Sequence, residues 1–325
     1  MPHPKISTTL SARDIFGTCK IRLGIGRENY TVEPGLYAVG GPGGDSPVLV
    51  SANYKLTFDT LREQLSGLNC WLLVLDTKGV NVWCAAGKGT FGTNELVRQI
   101  EQTGLSGVVT HRKVIVPQLG APGVSAHEVA RRTGFSVTYG PVRASDIKAF
   151  IASGGIATPD MRKVRFTLRD RLILTPVDLV AAARKSLPLF GVLFLLNLIA
   201  VRPFGLYDLI AYAGAVLAGK LITPALLPFI PGRSFAWKGW LVGMAWTALV
   251  LLLFKEYSLT AMIGYLLLLP ALSAWFALEF TGASTFTSPS GVLKEMRIAV
   301  PLTLGSAGLG AFLLVAQALF IGGGV

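Results

Sequence analysis

The chain has 325 residues, enough for two domains, with a formal net charge of +12 and a mean hydropathy of +0.55. That hydropathy is high for a soluble protein, and the basic balance is typical of chains that bind nucleic acid or an anionic membrane. The three cysteines, Cys19, Cys70 and Cys84, form no Cys-x-x-Cys pair, which excludes an encoded zinc ribbon or iron–sulfur cluster and favours a reducing compartment.

Apolar residues are concentrated in the C-terminal part of the chain. Residues 1–185 contain 23 Lys and Arg against 14 Asp and Glu, and residues 186–325 contain 7 against 4. We predict a cytoplasmic α/β domain over 1–157, a basic juxtamembrane linker over 158–185 and an all-α transmembrane domain over 186–325. The first five residues lack an apolar core, so we expect no signal peptide.

The N-terminal region contains two glycine-rich segments. Residues 21–26 have only two of the three glycines of a dinucleotide-binding loop and follow a poor strand, which disfavours such a loop. Residues 38–47 are too rich in Gly and Pro for regular structure, so we predict a loop there.

Polar residues follow a predicted strand at 48–50. Ser51, Asn53 and Thr57 come after its end, where α/β domains bind ligands, although ordinary solvated loop residues are an equal alternative. A helix is predicted from Asp59 or Thr60 to about residue 66, with Glu63 completing a capping box on Thr60.

The segment before Cys84 contains a fully apolar run at 71–75, which predicts a buried strand. Residues 76–79 predict a turn, and 80–83 predict an extended return that ends at Cys84. This pattern places a thiol where a strand gives way to a loop of small residues.

A helix is predicted over 94–102, with Thr93 or Asn94 as its N-cap. Cys84 would then lie near a helix N-terminus and near Lys88, and both favour the thiolate, the form that binds metals. A small buried core cysteine is the alternative interpretation.

Strand-like and helical runs continue to alternate up to residue 151, which predicts an α/β domain with a mainly parallel, Rossmann-like sheet. We expect the glycine loops after the strands to gather at one sheet edge. The predicted strands are 107–110, 113–116 and 135–139, and the predicted helices begin at capping boxes or caps at Ser125 and Ser145.

Five apolar stretches then approach the ~20 residues that a membrane-spanning helix needs. They cover about 187–204, 207–229, 236–254, 259–279 and 298–321. The loop charges predict a cytoplasmic α/β domain and a C-terminus outside. Within the spans Lys220 is either functional or a residue that snorkels or pairs with helix carbonyls. The hydroxyl-rich segment 279–291 is either a docking segment or an ordinary turn.

The octapeptide Asn81-Val82-Trp83-Cys84-Ala85-Ala86-Gly87-Lys88, followed by Gly89, resembles the cap-helix signature of the corrinoid proteins of microbial mercury methylation (the HgcA family). It is also similar to the corrinoid-binding parts of the corrinoid iron–sulfur proteins of acetyl-CoA synthesis. The resemblance to the mercury family extends over the whole chain, including the apolar region.

The resemblance implies a corrinoid cofactor (cobalamin or methylcobalamin) with Cys84 as the lower axial cobalt ligand and the catalytic residue. The histidines His3, His111 and His127 offer no Asp-x-His-x-x-Gly alternative. The remaining cofactor-binding residues are expected at the octapeptide and after the first strand: Ser51, Asn53, Thr57, Asn81, Val82, Trp83, Ala85, Gly87 and Lys88.

The implied reaction is transfer of a methyl group from methyl-Co(III) corrinoid to Hg(II). The implied partners are a ferredoxin-like iron–sulfur electron donor, a folate-linked methyl donor and the lipid membrane, with no nucleic acid. Two alternatives stay open: a corrinoid methyl carrier with another acceptor, and a membrane sensor or transporter with a cytosolic ligand domain.

Overall fold

The computed structural model describes residues 3–253, 258–284 and 286–320. The chain forms two compact units. The first consists of Met1–Ile21 and Ile25–Arg165, and the second of Arg22–Gly24 and Phe166–Val325. A mixed α/β domain is therefore followed by a helical region.

Within its described residues, the α/β unit contains a six-stranded sheet in the order β1-β2-β4-β3-β5-β6. The strands are β1 (Lys5–Ile6), β2 (Gly35–Val39), β3 (Val48–Ala52), β4 (Cys70–Leu75), β5 (Lys113–Val116) and β6 (Ser136–Tyr139). Neighbours from β4 to β6 pair in parallel, whereas β2 pairs antiparallel with β4. The predicted mainly parallel sheet is confirmed, and the carboxyl ends of β3, β4, β5 and β6 share one edge.

Helices cover both faces of this sheet because strand side chains alternate between the faces. The helices are α1 (Ala12–Arg22), α2 (Lys55–Gln64), α3 (Val82–Lys88), α4 (Thr93–Gln102), α5 (Leu105–Val108), α6 (Ala126–Thr133) and α7 (Ile147–Ala152). Side chains of α3, α4 and α6 pack on the face that contains Val50 and Leu73. Those of α2 and α7 pack on the opposite face, with Leu49 and Leu72.

Several predicted elements of this domain were wrong in type or in bounds. Residues 80–83 are not a strand, because α3 begins at Val82, and 107–110 are not a strand, because α5 covers 105–108. Strand β2 falls partly in the predicted 38–47 loop, since pairing with β4 supplies its hydrogen bonds. Short apolar runs do not by themselves distinguish a strand from a buried helix.

Two of the predicted helix caps were misplaced, and a third has the predicted position without the predicted capping box. Helix α2 begins at Lys55, so Thr60 lies inside it and donates its hydroxyl to the Leu56 carbonyl instead of forming a capping box. Helix α4 has Gly92 as its N-cap, and Ser125 caps α6 by position without a side-chain hydrogen bond.

The second unit contains five helical segments long and apolar enough to cross a membrane, counted over the described residues. They are Leu168–Asn197, Leu206–Leu226, Phe235–Leu253, Leu259–Gly282 and Ser290–Phe320. Their component helices are α8 (Leu168–Leu172), α9 (Thr175–Asn197), α10 (Leu206–Leu217), α11 (Thr223–Leu226), α12 (Phe235–Leu253), α13 (Leu259–Glu279) and α14 (Pro289–Phe320).

The first apolar helix starts and ends earlier than the predicted span of 187–204. Thr167 and Asp170 form a capping box that starts α8 inside the segment predicted as a linker. After α9, the Asn197 amide exchanges two hydrogen bonds with the backbone of Phe204, at 2.8 and 2.9 Å, and holds a turn there. The predicted loop charges Lys255 and Glu256 lie outside the described residues.

Small residues allow the helices of this unit to pack closely. A Cβ added to Gly239 would lie 2.5 Å from the Ala277 Cβ, and one added to Gly243 would lie 2.7 Å from the Ser273 Cβ. The Ser273 hydroxyl donates to the Gly239 carbonyl at 2.7 Å. Helices α12 and α13 are therefore in close contact along a line of small residues.

Lys220 is paired with a carboxylate rather than snorkelling or pairing with helix carbonyls. It lies in a π-helical turn at Ala218–Ile222, is 2 % exposed, and donates to the carboxylate of Glu279. Lys185 donates to the other oxygen of Glu279 at 3.1 Å. The first residue of the predicted 279–291 segment is therefore the partner of the buried lysine, and the segment continues as a 3-10 turn at Phe280–Ala283; Thr285 lies outside the described residues.

Candidate functional site

Helix α3 presents one buried face and one exposed face. Val82, Ala85 and Ala86 pack into the core beside the sheet. Positions 83, 84, 87 and 88 fall on the opposite side, because a helix turns about 100° per residue. Trp83 is 42 % exposed and the Cys84 thiol is exposed, so the alternative interpretation of Cys84 as a buried core cysteine is wrong.

The turn between β4 and α3 is fixed by a network of hydrogen bonds. The Asn53 side-chain oxygen accepts the backbone N–H groups of Thr77 and Gly79, both at 3.1 Å. The Asp76 N–H donates to the carboxylate of Glu95 on α4 at 2.8 Å. These contacts end strand β4 and aim the chain toward the first turn of α3.

The ionised carboxylate of Asp76 also stabilises this turn. Burial by itself raises the pKa of Asp76, but hydrogen bonds from Lys78 outweigh burial and lower it below its ordinary value. The carboxylate therefore stays ionised and accepts both the Lys78 N–H and the Asn53 amide. Lys78 adopts a left-handed conformation (φ 57°), and this network holds it there.

Asn81 is the N-cap of α3. Its side-chain oxygen accepts the backbone N–H of Cys84 at 2.9 Å, which satisfies one of the free donors of the first turn. Cys84 is thus held at the third position of the helix by its own backbone, while its side chain is left free to point outward.

A glycine-containing loop after β5 packs beneath the far end of α3. A Cβ added to Gly123 would lie 2.1 Å from the Phe91 carbonyl oxygen and 3.2 Å from the Ala86 Cα. A Cβ added to Gly120 would overlap the ring of Phe91, which is fully buried. This support was not predicted, although the Gly120-x-x-Gly123 spacing after a strand is a signal for it.

The structure brings some of the predicted site residues together and separates others. Asn53 contacts the turn that leads into α3, but its amide is occupied by that turn. Ser51 is buried within β3, 1 % exposed. Thr57 lies on α2, across the sheet from α3. Direct contacts of these three residues with a cofactor remain predictions.

The three cysteines lie in different environments. Cys70 is fully buried at the start of β4, and burial raises the pKa of its thiol to about 12. Cys19 is exposed on α1, and Cys84 is exposed on α3. Only the Cys84 thiol lies on a helix that begins at the carboxyl edge of the parallel strands, where α/β proteins place ligands.

The exposed face of α3 is open around Cys84. Gly87 lies one turn from Cys84, and a Cβ built there would meet no other heavy atom within 4 Å. The face therefore offers a soft sulfur donor, an indole and a space without side-chain bulk. Lys88 adds a cationic group at its far end.

Comparison with known proteins gives matches within the α/β unit. The model of a family described as CO dehydrogenase/acetyl-CoA synthase delta subunit (CdhD) matches residues 20–151, less than half of the chain. The acetyl-CoA decarbonylase/synthase complex subunit gamma of Methanopyrus kandleri is 37% identical over 133 residues, 40% of this chain and 28% of that protein.

Two further gamma subunits are similar to the same extent. That of Archaeoglobus fulgidus is 37% identical over 127 residues, 38% of this chain and 27% of the relative. That of Methanocaldococcus jannaschii is 34% identical over 127 residues, 38% of this chain and 26% of the relative. The chain thus spans little more than a quarter of the length of these curated relatives.

The region matched by the family model includes the whole candidate site, from Ser51 to the loop at Gly123. Its end at residue 151 leaves the five apolar helices outside the match. The similarity therefore concerns the α/β unit and its site.

Proposed function

We propose that this chain is a membrane-anchored, corrinoid-dependent methyl carrier that binds its cofactor on the exposed face of α3, with the Cys84 sulfur as the lower ligand of cobalt. The observation that carries the proposal is the exposed thiol at the third position of a capped helix above the carboxyl edge of the sheet. The similarity to acetyl-CoA decarbonylase/synthase subunits supports a corrinoid in this domain.

The N-cap of α3 and several residues of the helix have separate roles in this proposal. Asn81 sets the start of the helix, and the buried residues Val82, Ala85 and Ala86 anchor it to the core. Trp83 supplies an aromatic surface beside the sulfur, and Gly87 keeps the face open. The bound corrinoid supplies the transferable methyl group.

We further propose that the methyl acceptor is Hg(II). The support is the resemblance of residues 81–89 to the mercury-methylation family. An anionic sulfur ligand donates more electron density to the metal than a neutral imidazole does, which favours giving the methyl group to an electrophile such as Hg(II). Regeneration then needs electrons and a new methyl group, so we propose a ferredoxin-like donor protein and a folate-linked methyl donor as partners.

A methyl carrier with a different acceptor is the second candidate. The names of the similar proteins favour it, because they are subunits of complexes that act on acetyl-CoA. A sensor or transporter is less well supported, since the similar proteins are named as subunits of an enzyme complex.

The apolar helices are proposed to anchor the protein in the cytoplasmic membrane. The predicted orientation puts the α/β domain in the cytoplasm and the C-terminus outside, from the excess of basic residues before the first span. A reporter that is active only in the cytoplasm, fused after Val325, should be silent; activity there would refute this orientation.

Two measurements test the functional proposal. The full chain, purified without oxygen after growth with cobalamin, should show a corrinoid visible spectrum, and a colourless protein after cobalamin reconstitution would refute corrinoid binding. Cells that carry the gene and its electron-donor partner should form methylmercury from Hg(II), while cells without it should not. A corrinoid spectrum without methylmercury would leave the carrier proposal standing and refute the acceptor.

A further inference from the structure

Asn53 is the centre of the hydrogen bonds that join β3 to the turn before α3. Its side chain is almost fully buried; the amide nitrogen donates to Asp76 at 3.3 Å, and the oxygen accepts two N–H groups of the turn. Its backbone is fixed as well, since its N–H donates to the Leu75 carbonyl at 3.0 Å and its carbonyl accepts the Val32 N–H at 2.9 Å. A residue held at both backbone and side chain can fix the place of the turn that it binds.

Thr77 extends this network toward the helix. It is fully buried, and its hydroxyl lies 2.9 Å from the Asn53 side-chain oxygen and 2.7 Å from the Val80 carbonyl oxygen. A hydroxyl has one proton to donate, so the Thr77 proton is shared between these two acceptors. Val80 directly precedes Asn81, the N-cap of α3. The contacts therefore run from β3 through Thr77 to the residue before the cap.

The start of α3 determines where the Cys84 side chain points. Asn81 accepts the Cys84 N–H at 2.9 Å, which fixes the register of the first turn. A shift of the chain by one residue along the helix would turn the Cys84 side chain by about 100°. The helix has only seven residues, and a free helix shorter than about 12 residues is marginal in water. Contacts outside α3 must therefore hold it in place.

We infer that Asn53 and Thr77 are positioning residues for the Cys84 sulfur, which they direct through the start of α3. Both act through the helix rather than by contact with the cofactor, since Thr77 is fully buried and both ends of the Asn53 amide are engaged by the turn. Asn53 thus has a different role from the direct contact that its place after β3 predicts. The placement of the sulfur is a property of the chain itself, and its use as a cobalt ligand rests on the proposed function.

The test compares substitutions in the full chain. Thr77→Val replaces the hydroxyl with a methyl group and keeps the backbone N–H, whereas Thr77→Ser keeps the hydroxyl. Asn53→Ala removes the acceptor that the turn shares. Thr133→Val is the matched control, because the Thr133 hydroxyl also donates to a backbone carbonyl, that of Val129 at 2.8 Å, but at the end of α6.

A nitroxide label on Cys84 reports the motion of α3 without any cofactor. The parent chain carries Cys19→Ser, and Cys70 is buried and does not compete for the label. Electron paramagnetic resonance in detergent should show one slow component in the parent chain, and the valine variant at position 77 and Asn53→Ala should each add a fast component. The serine variant and the control should retain the parent spectrum. A valine variant that matches the parent, or a control with the same fast component, would overturn the inference.

Amide hydrogen exchange measures the same effect on the unlabelled chain. Exchange of residues 82–86 should rise about tenfold in Thr77→Val, the effect of leaving one buried polar group without its partner. An equal rise at residues 126–133 of α6 would show a general loss of stability and overturn the inference. Circular dichroism checks the folding of each variant; if Asn53→Ala fails to fold, the valine and serine variants of Thr77 decide, because valine and threonine have nearly the same shape.

The visible spectrum after cobalamin reconstitution tests the consequence for the cobalt ligand. Thr77→Val, with Cys84 unlabelled, should bind as much corrinoid as the parent chain and shift its spectrum toward that of Cys84→Ala. Loss of corrinoid from Asn53→Ala with an unchanged label spectrum would make Asn53 a direct cofactor contact and overturn the inference. A parent chain that stays colourless would refute the proposed function, while the label spectra would still decide the positioning.

Discussion

At the scale of single residues, the three cysteines show how environment decides what the same side chain can do. Cys70 is part of the core, where burial raises the pKa of its thiol to about 12 and keeps it protonated. Cys84 is exposed on a short helix whose first turn is capped by Asn81. The cobalt ligand proposed for this protein is therefore one of two accessible thiols and the only one of them on α3.

We expect Cys84→Ala to abolish methyl transfer and Cys19→Ala to preserve it. The substitution removes the donor atom and little volume from an exposed position, so it should cost only about 1 kcal/mol of stability. Corrinoid bound through its periphery should then show a changed visible spectrum.

Cys84→His is the matched variant because it restores a ligand without the negative charge. It should bind corrinoid with its own spectrum and remain far less active. Near-normal activity of Cys84→Ala would contradict the assignment of the cobalt ligand.

The buried ion pair in the helical unit should respond asymmetrically to substitution. Lys220 is 2 % exposed, whereas the side chain of Glu279 is 32 % exposed and also contacts Lys185. Glu279→Gln leaves the buried Lys220 cation without its partner carboxylate and should lower the free energy of unfolding by about 3–5 kcal/mol. Lys220→Met leaves Glu279 with a second partner, so its loss of stability should be smaller.

Thermal unfolding in detergent measures this difference, and the double variant should be more stable than Glu279→Gln alone. Lys185→Ala is the control, because its side chain is 67 % exposed. Equal losses for Glu279→Gln and Lys220→Met would contradict the asymmetry.

At the scale of elements, α3 depends on neighbours that are distant in sequence. Gly123 belongs to a different loop, yet its missing side chain lets that loop approach Ala86 and Phe91. Thr93 continues the contact, since its N–H donates to the Gly123 carbonyl at 3.1 Å. The loop at Gly123 thus supports the C-terminal end of α3, and the Asn81 cap holds its N-terminal end.

We expect Gly123→Ala to loosen α3, because its Cβ would overlap a backbone oxygen and force the loop away. Overpacking of this kind typically costs about 1–3 kcal/mol. Amide hydrogen exchange of residues 82–91 should accelerate, with weaker corrinoid binding. Gly107→Ala is the matched control, since a Cβ there has open space and α5 gains a better helix former. Unchanged exchange in Gly123→Ala would contradict this role of the loop.

The packing of α1 against α2 should depend on pH, because it includes the ion pairs of Asp14 with Lys55 and Arg62. Hydrogen bonds, that from Lys55 foremost, hold the pKa of Asp14 well below its usual range despite partial burial. A lowered folded-state pKa contributes stability above the unfolded pKa of about 3.9, and that contribution is lost as the pH falls toward the folded value.

We therefore expect Asp14→Asn to speed amide exchange of residues 12–21 at neutral pH and the difference from the unmodified chain to shrink below about pH 4. Exchange rates corrected for their intrinsic pH dependence make the comparison. Glu128→Gln is the control, because Glu128 is paired with Arg131 on the distant helix α6. A difference that grows on acidification would contradict the role of Asp14.

At the scale of the whole molecule, the chain consists of two units with separate cores. The cores of the α/β unit lie on the two faces of the sheet, and one core of the helical unit lies among α10, α12, α13 and α14. Only residues 22–24 of the N-terminal region are grouped with the helical unit.

A chain truncated after Arg165 should fold on its own and bind a corrinoid, because the candidate site lies within residues 51–123. Circular dichroism and the visible spectrum after reconstitution measure both properties. A chain that ends at Leu179 serves as the comparison, since it cuts α9 and exposes apolar helix surface. A folded but colourless truncated protein, beside a coloured full chain, would show that the helical unit contributes to the site.

The sequence by itself determined the features that depend on local composition. The strands β3 and β4 were evident because a strand that is covered on both faces is almost entirely apolar. The five apolar stretches were evident from their length and composition. The octapeptide around Cys84 was also sufficient to locate the candidate site segment. The domain division and the cofactor contacts proposed from it remain predictions.

The tertiary structure decided what depends on partners far along the chain. Residues 80–83 are compatible with either a strand or a helix, and the contacts of Asn53 and Glu95 with the preceding turn select the helix. Strand β2 exists because β4 is available to pair with it. Lys220 forms an ion pair with Glu279, which lies 59 residues further along the chain. In each case the decisive free energy comes from a contact that closes a long loop, which no local pattern encodes.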